Sequence, residues 1–171
     1  ILISLLFPIS KILFIPISII LSPFSTLFTW LFLNALGFTS IMKGQEIFIN
    51  NSGINVTFSC SGSGQILFCL TAMVIFNYFF PLNNLKLLLL QMSLAFLFTF
   101  AFNIIRLCLL AIYSNTADQA GFSIFDYLHS GNGGLVFSFC SMLISCESYK
   151  RLYLKHHSVS YTHLRAHETH D

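Results

Sequence analysis

The chain is 171 residues long, 56% hydrophobic and only 8% charged, with a formal net charge of +2 and a mean hydropathy of +0.80. A soluble domain carries about 25% charged residues. This composition cannot clothe a water-facing surface, so it excludes an ordinary soluble fold and predicts an integral membrane protein. The charge is too small and too scattered for nucleic acid to be a partner; membrane lipids are the expected surroundings.

The predicted fold class is an all-α polytopic membrane protein with about four to five transmembrane helices. The chain begins at Ile1, inside an apolar run, which leads us to expect an N-terminal truncation with further helices upstream. Ile1 to Ile20 reads as the end of one span and the start of the next, broken by Pro8, Lys11 and Pro16. Phe14 to Leu36 is a candidate span, expected to be kinked or re-entrant at Pro16 and Pro23, and Gly37 closes it. "QEIFIN" and "INVTFS" then alternate on either side of a turn-like "NSG". This predicts a short β-hairpin outside the membrane, just before a cysteine-bearing helix. Asn55-Val56-Thr57 has the form of a glycosylation sequon and reads more simply as a strand triplet.

Gln65 to Phe80 is the next predicted span, ended by Pro81, with "PLNNLK" as a turn. Leu87 to Tyr113 is a long span interrupted by Arg106. Ser114 to Asn132 reads as a polar loop, and Gly133 to Tyr149 as the last span before "KRLYLK". Lys86, Lys150, Arg151 and Lys155 share one end of these spans, with Lys43 alone opposing them. That end is assigned to the cytoplasm, so the hairpin and the polar loop face outward. Residues 1–157 form the predicted domain. The tail "SVSYTHLRAHETHD", residues 158–171, is polar and His-rich, unlike the body, and is set aside as a spurious or disordered tail. His163 and His167 there do not make the HExxH zinc motif, and no metal or other cofactor is expected.

The five cysteines are Cys60, Cys69, Cys108, Cys140 and Cys146. No CxxC or zinc spacing joins them. Four lie within apolar stretches as small core residues; Cys60 alone sits at a boundary. About 20 residues cross the hydrocarbon. Counting that distance outward from Pro81 reaches Cys60, from Lys86 reaches Arg106, and from Lys150 reaches His129. Each residue alone has a plain reading: a boundary cysteine, a snorkelling arginine, a loop histidine. Their conjunction at one depth is the informative fact. A helix N-terminus and a nearby cation favour a thiolate. The N–H groups of Ser61 to Gly64 are expected to face Cys60, and Gly62 and Gly64 to let a peptide backbone approach. Arg106 is placed to stabilise a thiolate or oxyanion, and His129 to serve as general acid–base. Asn103, one turn before Arg106, is a supporting residue, with Asp118 and Asp126 in the same outer loop.

At these positions the sequence resembles the exosortase/archaeosortase family of polytopic membrane cysteine transpeptidases. Its pattern is Cys-Ser-Gly or Cys-Ala-Gly after a short strand, Asn-x-x-Arg in a later span, and a His in the following loop. Here these are "CSG" at Cys60 to Gly62, "NIIR" at Asn103 to Arg106, and "YLHSGNGG" around His129, in order and in context from about Gly37 to Tyr149. "SGSGQ" departs from the bulkier residue that many members carry after Cys-x-Gly. The resemblance implies a thiol protease and transpeptidase acting in protein sorting. It would be a multi-pass enzyme of the plasma membrane with its site on the extracytoplasmic side. Its partners would be exported proteins bearing a C-terminal sorting signal of the PEP-CTERM kind, which it would cleave and pass to an acceptor at the cell surface. The roles implied are Cys60 nucleophile, Arg106 thiolate or transition-state stabiliser, and His129 general acid–base. Two other readings stand beside it: a serine protease using Ser61 or Ser63 with His129, and a non-enzymatic membrane subunit or transporter in which Arg106 binds an anion.

Overall fold

The computed structural model describes the backbone of residues 2–50, 52–57, 60–114, 119–129 and 132–168. Helix α1 (Leu2–Ala35) leads into strands β1 (Ser40–Lys43), β2 (Glu46–Ile49) and β3 (Ser52–Asn55). Helices α2 (Ser63–Phe79), α3 (Leu85–Ser114), α4 (Gln119–His129) and α5 (Asn132–Glu168) follow. α3 is the hub of the bundle: it touches the other four helices and strands β2 and β3.

The first correction is to α1. It is one continuous helix through Pro16 and Pro23, neither split nor re-entrant. Each proline removes one backbone donor, a loss that apolar helices tolerate when Ser and Thr side chains and neighbouring segments take up backbone groups. Ser18 Oγ donates to Phe14 O at 2.6 Å. Ser18, Ser22, Ser25, Thr26 and Thr29 are all buried, while Ile15, Ile19, Phe24, Phe28 and Phe32 are exposed. The helix is therefore polar inside and apolar outside, as expected where lipid is the solvent. α1 ends at Gly37 as predicted: Phe38 N–H donates to Leu33 O and Gly37 N–H to Asn34 O, both at 3.0 Å, the paired bonds of a Schellman close.

The predicted hairpin is present as β2 and β3, but it belongs to a three-stranded antiparallel sheet in the order β1-β2-β3. The turn is narrower than "NSG": Ile49 pairs with Ser52 and Phe48 with Gly53, and Asn50 takes φ 53°. Gly53 lies in the strand because the Phe48 ring covers it; a Cβ there would stand 2.7 Å from that ring. Ile47, Ile49, Ile54 and Val56 pack with Leu33, Leu107 and Leu110. The sheet thus caps the α1/α3 end of the bundle, next to Cys60.

The opposite end is closed by a second cluster around Cys69, Met73, Leu82, Ala95 and Tyr149. Tyr149 Oη donates to Phe80 O at 2.6 Å, which places Lys150 and the α2–α3 turn at the same end. Beside this second cluster, Gln91 is fully buried and satisfied. Its Nε2 donates to Ser145 O at 2.8 Å, and its Oε1 accepts from Ser148 Oγ at 3.0 Å.

Two further corrections concern the C-terminal half. The predicted polar loop contains helix α4, whose Gly121, Phe125 and Leu128 turn inward. The last helix does not stop near Tyr149; its backbone continues to Glu168, through most of the segment set aside as a tail. Asp118, Gly131 and the side chains of His163 and His167 lie outside the described residues. Among the described residues, two helices, over Ile12–Ala35 and Leu85–Tyr113, are long and apolar enough to cross a membrane, and α2 is a shorter apolar helix.

Candidate active site

Cys60 sits in a tight turn between the sheet and α2, its N–H donating to Thr57 O at 2.9 Å. Three partners hold this turn. Ser22 Oγ donates to Val56 O at 2.6 Å, and Ser25 Oγ donates to Ser61 O at 2.8 Å. From the other side, Asn103 Nδ2 donates to Cys60 O at 3.3 Å. α1 and α3 therefore grip the turn through its own carbonyls.

Gly62 enters α2 at φ 85°, the left-handed region, and a Cβ there would lie 2.6 Å from Asn103 Nδ2. Both facts require glycine. Gly62 makes room for Asn103, and it also lines the cavity described below. The expected fan of N–H groups facing Cys60 is also modified, since Ser63 N–H turns to Ser61 Oγ at 3.4 Å. Ser61 and Ser63 are fully buried. Their hydroxyls bond to each other at 3.2 Å, and Ser63 Oγ meets Ser18 Oγ at 2.7 Å. Both serines serve the α1 contact.

Arg106 projects from α3 and is only 6% exposed, as is Cys60. Its Nε donates to Leu128 O at 3.1 Å, and its guanidinium lies within electrostatic reach of Cys60. The described ion pairs join Glu147 to Lys150 and Arg151; among the described residues no carboxylate pairs with Arg106. A snorkelling arginine would reach open water, whereas this one is held inside the bundle. Gly134 of α5 packs over it, its ideal Cβ position 3.5 Å from Cζ. Gly133 allows that packing, because a Cβ there would lie 2.6 Å from Leu128 Cα.

Arg106 and His129 share the wall of a cavity of about 850 Å³ with Gly62, Gly64 and Gln65. Phe68, Leu135, Val136 and Phe139 form its apolar part. His129 is exposed, at the last turn of α4, and its ring stacks on Phe125 with centroids 5.6 Å apart. The structure thus joins Asn103 to the Cys60 carbonyl and sets Arg106 within electrostatic reach of Cys60, while the cavity wall that Arg106 shares with His129 does not include Cys60. Asp126 is exposed on α4. Among the described residues, no group of three His, Cys, Asp or Glu side chains is spaced to hold a metal.

Several participants were not foreseen. Ser22 and Ser25 grip the Cys60 turn, and their signal is present in the sequence: Ser18, Ser22, Ser25, Thr26 and Thr29 recur at helix spacing in an otherwise apolar run. Gln65, whose Nε2 donates to Gly134 O at 3.2 Å, ties the first turn of α2 to that of α5. The carbonyl of Leu128 has no side-chain signature at all.

Residues 1–146 match the model of the transmembrane exosortase family (Exosortase_EpsH). The chain belongs to that family. No curated protein and no solved structure shows a significant match to it. Membership in a transmembrane family and the two long apolar helices among the described residues together point to a membrane protein.

Proposed function

We propose that this exosortase is a multi-pass cysteine peptidase and transpeptidase. It cleaves C-terminal sorting signals of exported proteins at the outer membrane–water boundary and transfers them to a surface acceptor. The observation that carries the reading is the state of Arg106: a buried cation with no carboxylate partner among the described residues, within electrostatic reach of Cys60. A charged residue buried in an apolar helix marks a functional site by default, and here the anion that suits it is a thiolate or an oxyanion.

In the proposed reaction the Cys60 thiolate attacks the scissile carbonyl carbon, and the carbonyl π electrons move to oxygen. Arg106 balances that negative charge. Collapse of the intermediate breaks the C–N bond, His129 gives a proton to the leaving amine, and a thioester remains. An acceptor nucleophile then attacks the thioester, His129 takes its proton, and the thiolate is restored. Asn103 positions Cys60 through the backbone carbonyl. No hydrogen bond joins Cys60 to His129 among the described residues; in this class of chemistry such contacts tighten when substrate fills the gap. Ser61 and Ser63, engaged with α1, are poorly placed to be nucleophiles. Residues 1–157 are the functional unit, and residues 158–171 are dispensable.

The test is co-expression with exported proteins from the same genome that carry a C-terminal helix and basic cluster, scored for C-terminal processing. Cys60→Ala should insert normally and process nothing. Cys69→Ala, Cys108→Ala, Cys140→Ala and Cys146→Ala should each retain processing. Persistent processing in Cys60→Ala would overturn the reading, and its loss in Ser61→Ala or Ser63→Ala would then favour a serine enzyme.

A further inference from the structure

The candidate cavity has a polar end and an apolar end, and one residue at the polar end is unexplained by the chemistry above. Gln65 lines the cavity from the first turn of α2. Its Nε2 donates to Gly134 O. A carbonyl oxygen can only accept, so this contact fixes the amide orientation and leaves Oε1 as the other atom. Oε1 is buried and has no hydrogen-bond partner among the described residues. A buried acceptor left unpaired is costly, and such atoms in a native protein ask for a reason.

The surroundings supply one. Gly134 O, which also receives Ser138 Oγ at 2.7 Å, holds the amide nitrogen of Gln65, and Oε1 is the atom left over. Phe68, Leu135 and Phe139 beside it are all exposed. An incoming ligand reaches Oε1 by displacing those unpacked side chains. The site therefore offers one oriented acceptor on a residue that shares the cavity wall with Arg106, together with a run of apolar surface.

Building on the peptidase reading above, we propose that Gln65 is a substrate-positioning residue. Its Oε1 accepts one backbone N–H of the polar, extended peptide segment that enters the cavity, while the apolar segment following it lies along Phe68, Leu135 and Phe139. Recognition through a backbone N–H is tolerant of side-chain identity and fixes the register of the chain. It selects a junction between an extended segment and an apolar one, not a residue.

The experiment uses the full chain in detergent micelles. The probe is a synthetic peptide spanning a processed cleavage segment and its apolar helix, together with a series in which each backbone amide of the segment is replaced in turn by an ester. An ester keeps the shape and removes one N–H. With the unmodified enzyme, one position in the series should raise KM about five- to tenfold with kcat little changed, the range of one neutral hydrogen bond. Gln65→Met should raise KM for the all-amide peptide by a similar factor, and the ester at that one position should then cost nothing more. An ester penalty unchanged in Gln65→Met would overturn the proposal and leave Gln65 as a brace between helices. Should Gln65→Met fail to fold, the ester series with the unmodified enzyme decides alone, and the absence of any single sensitive position overturns the proposal. If the unmodified enzyme does not cleave the all-amide peptide, the peptidase reading itself falls, and this inference with it.

Discussion

At the scale of single residues, the question is what Arg106 does that a lysine would not. A snorkelling cation needs charge and length alone, and its head should sit in water. Arg106 instead spends Nε on Leu128 O and lies under Gly134, which leaves the rest of its planar fork for Cys60 and the cavity. An ammonium on a flexible stem cannot hold a helix carbonyl and an oxyanion at once. Arg106→Lys should therefore insert normally and lose at least tenfold in processing rate, about 1.4 kcal/mol of barrier. His129→Ala should lose as much or more, since general acid–base help contributes about 10²–10⁴. Single-turnover cleavage in membranes, normalised to inserted protein, measures both; a wild-type rate in Arg106→Lys would reduce the residue to an anchor. The residues that carry a motif were readable from the sequence: Asn103 and Arg106 because polar groups are rare in apolar runs, Cys60 and His129 because counting from the span ends puts them at the same boundary as Arg106. Leu128 and Gly134 did not, because each contributes backbone or the absence of a side chain, and neither leaves a mark in the side-chain pattern.

At the scale of elements, the Cys60 turn depends on what grips it. Gly62 meets two independent demands, a left-handed φ of 85° and contact with Asn103. Gly62→Ala should push Asn103 off the Cys60 carbonyl and lower stability by about 1–3 kcal/mol. It should abolish processing even where inserted protein remains. A Gly62→Ala protein with wild-type melting and processing would show that the turn tolerates a Cβ and that this geometry is not required. The α1 contact is softer. Ser22→Ala and Ser25→Ala each remove one hydrogen bond to a backbone carbonyl. Bonds between buried polar groups in membrane helices average about 0.6 kcal/mol. Each variant should melt slightly lower in detergent, and the double variant should reduce processing more than either alone. Additive melting shifts with untouched processing would mean that α1 supports the fold but not the site. The hairpin was legible because "EIFI" alternates buried and exposed. Strand β1 was not: its four residues "SIMK" are largely exposed and carry no alternation. Helix α4 was hidden for a related reason. It has only 11 residues, and its inward face reuses Gly121, a residue that otherwise signals a loop.

At the scale of the whole molecule, the structure fixes which groups share an end, and charge is the basis for the proposed orientation. Tyr149 bonds to Phe80, so Lys86, Lys150 and Arg151 gather at one pole, while the sheet and the Cys60 turn lie at the other. Positive residues collect on the cytoplasmic side of membrane proteins, so the proposed orientation has the sheet facing out. Lys43 opposes this alone, and it sits at 5.8 Å over the Phe48 ring, a contact that accommodates a cation outside the membrane. Cys60 itself is too buried to report on sidedness, so the test needs exposed positions. Gln45→Cys, in the exposed β1–β2 turn, should react with a membrane-impermeant thiol reagent in intact cells. Lys150→Cys should react only after the membrane is opened. Both are made with Cys140 and Cys146 replaced by serine, to silence the half-exposed native thiols. The reverse pattern would invert the protein and place the candidate site in the cytoplasm. Such a site never meets an exported protein, so that single result would remove the sorting function along with the orientation.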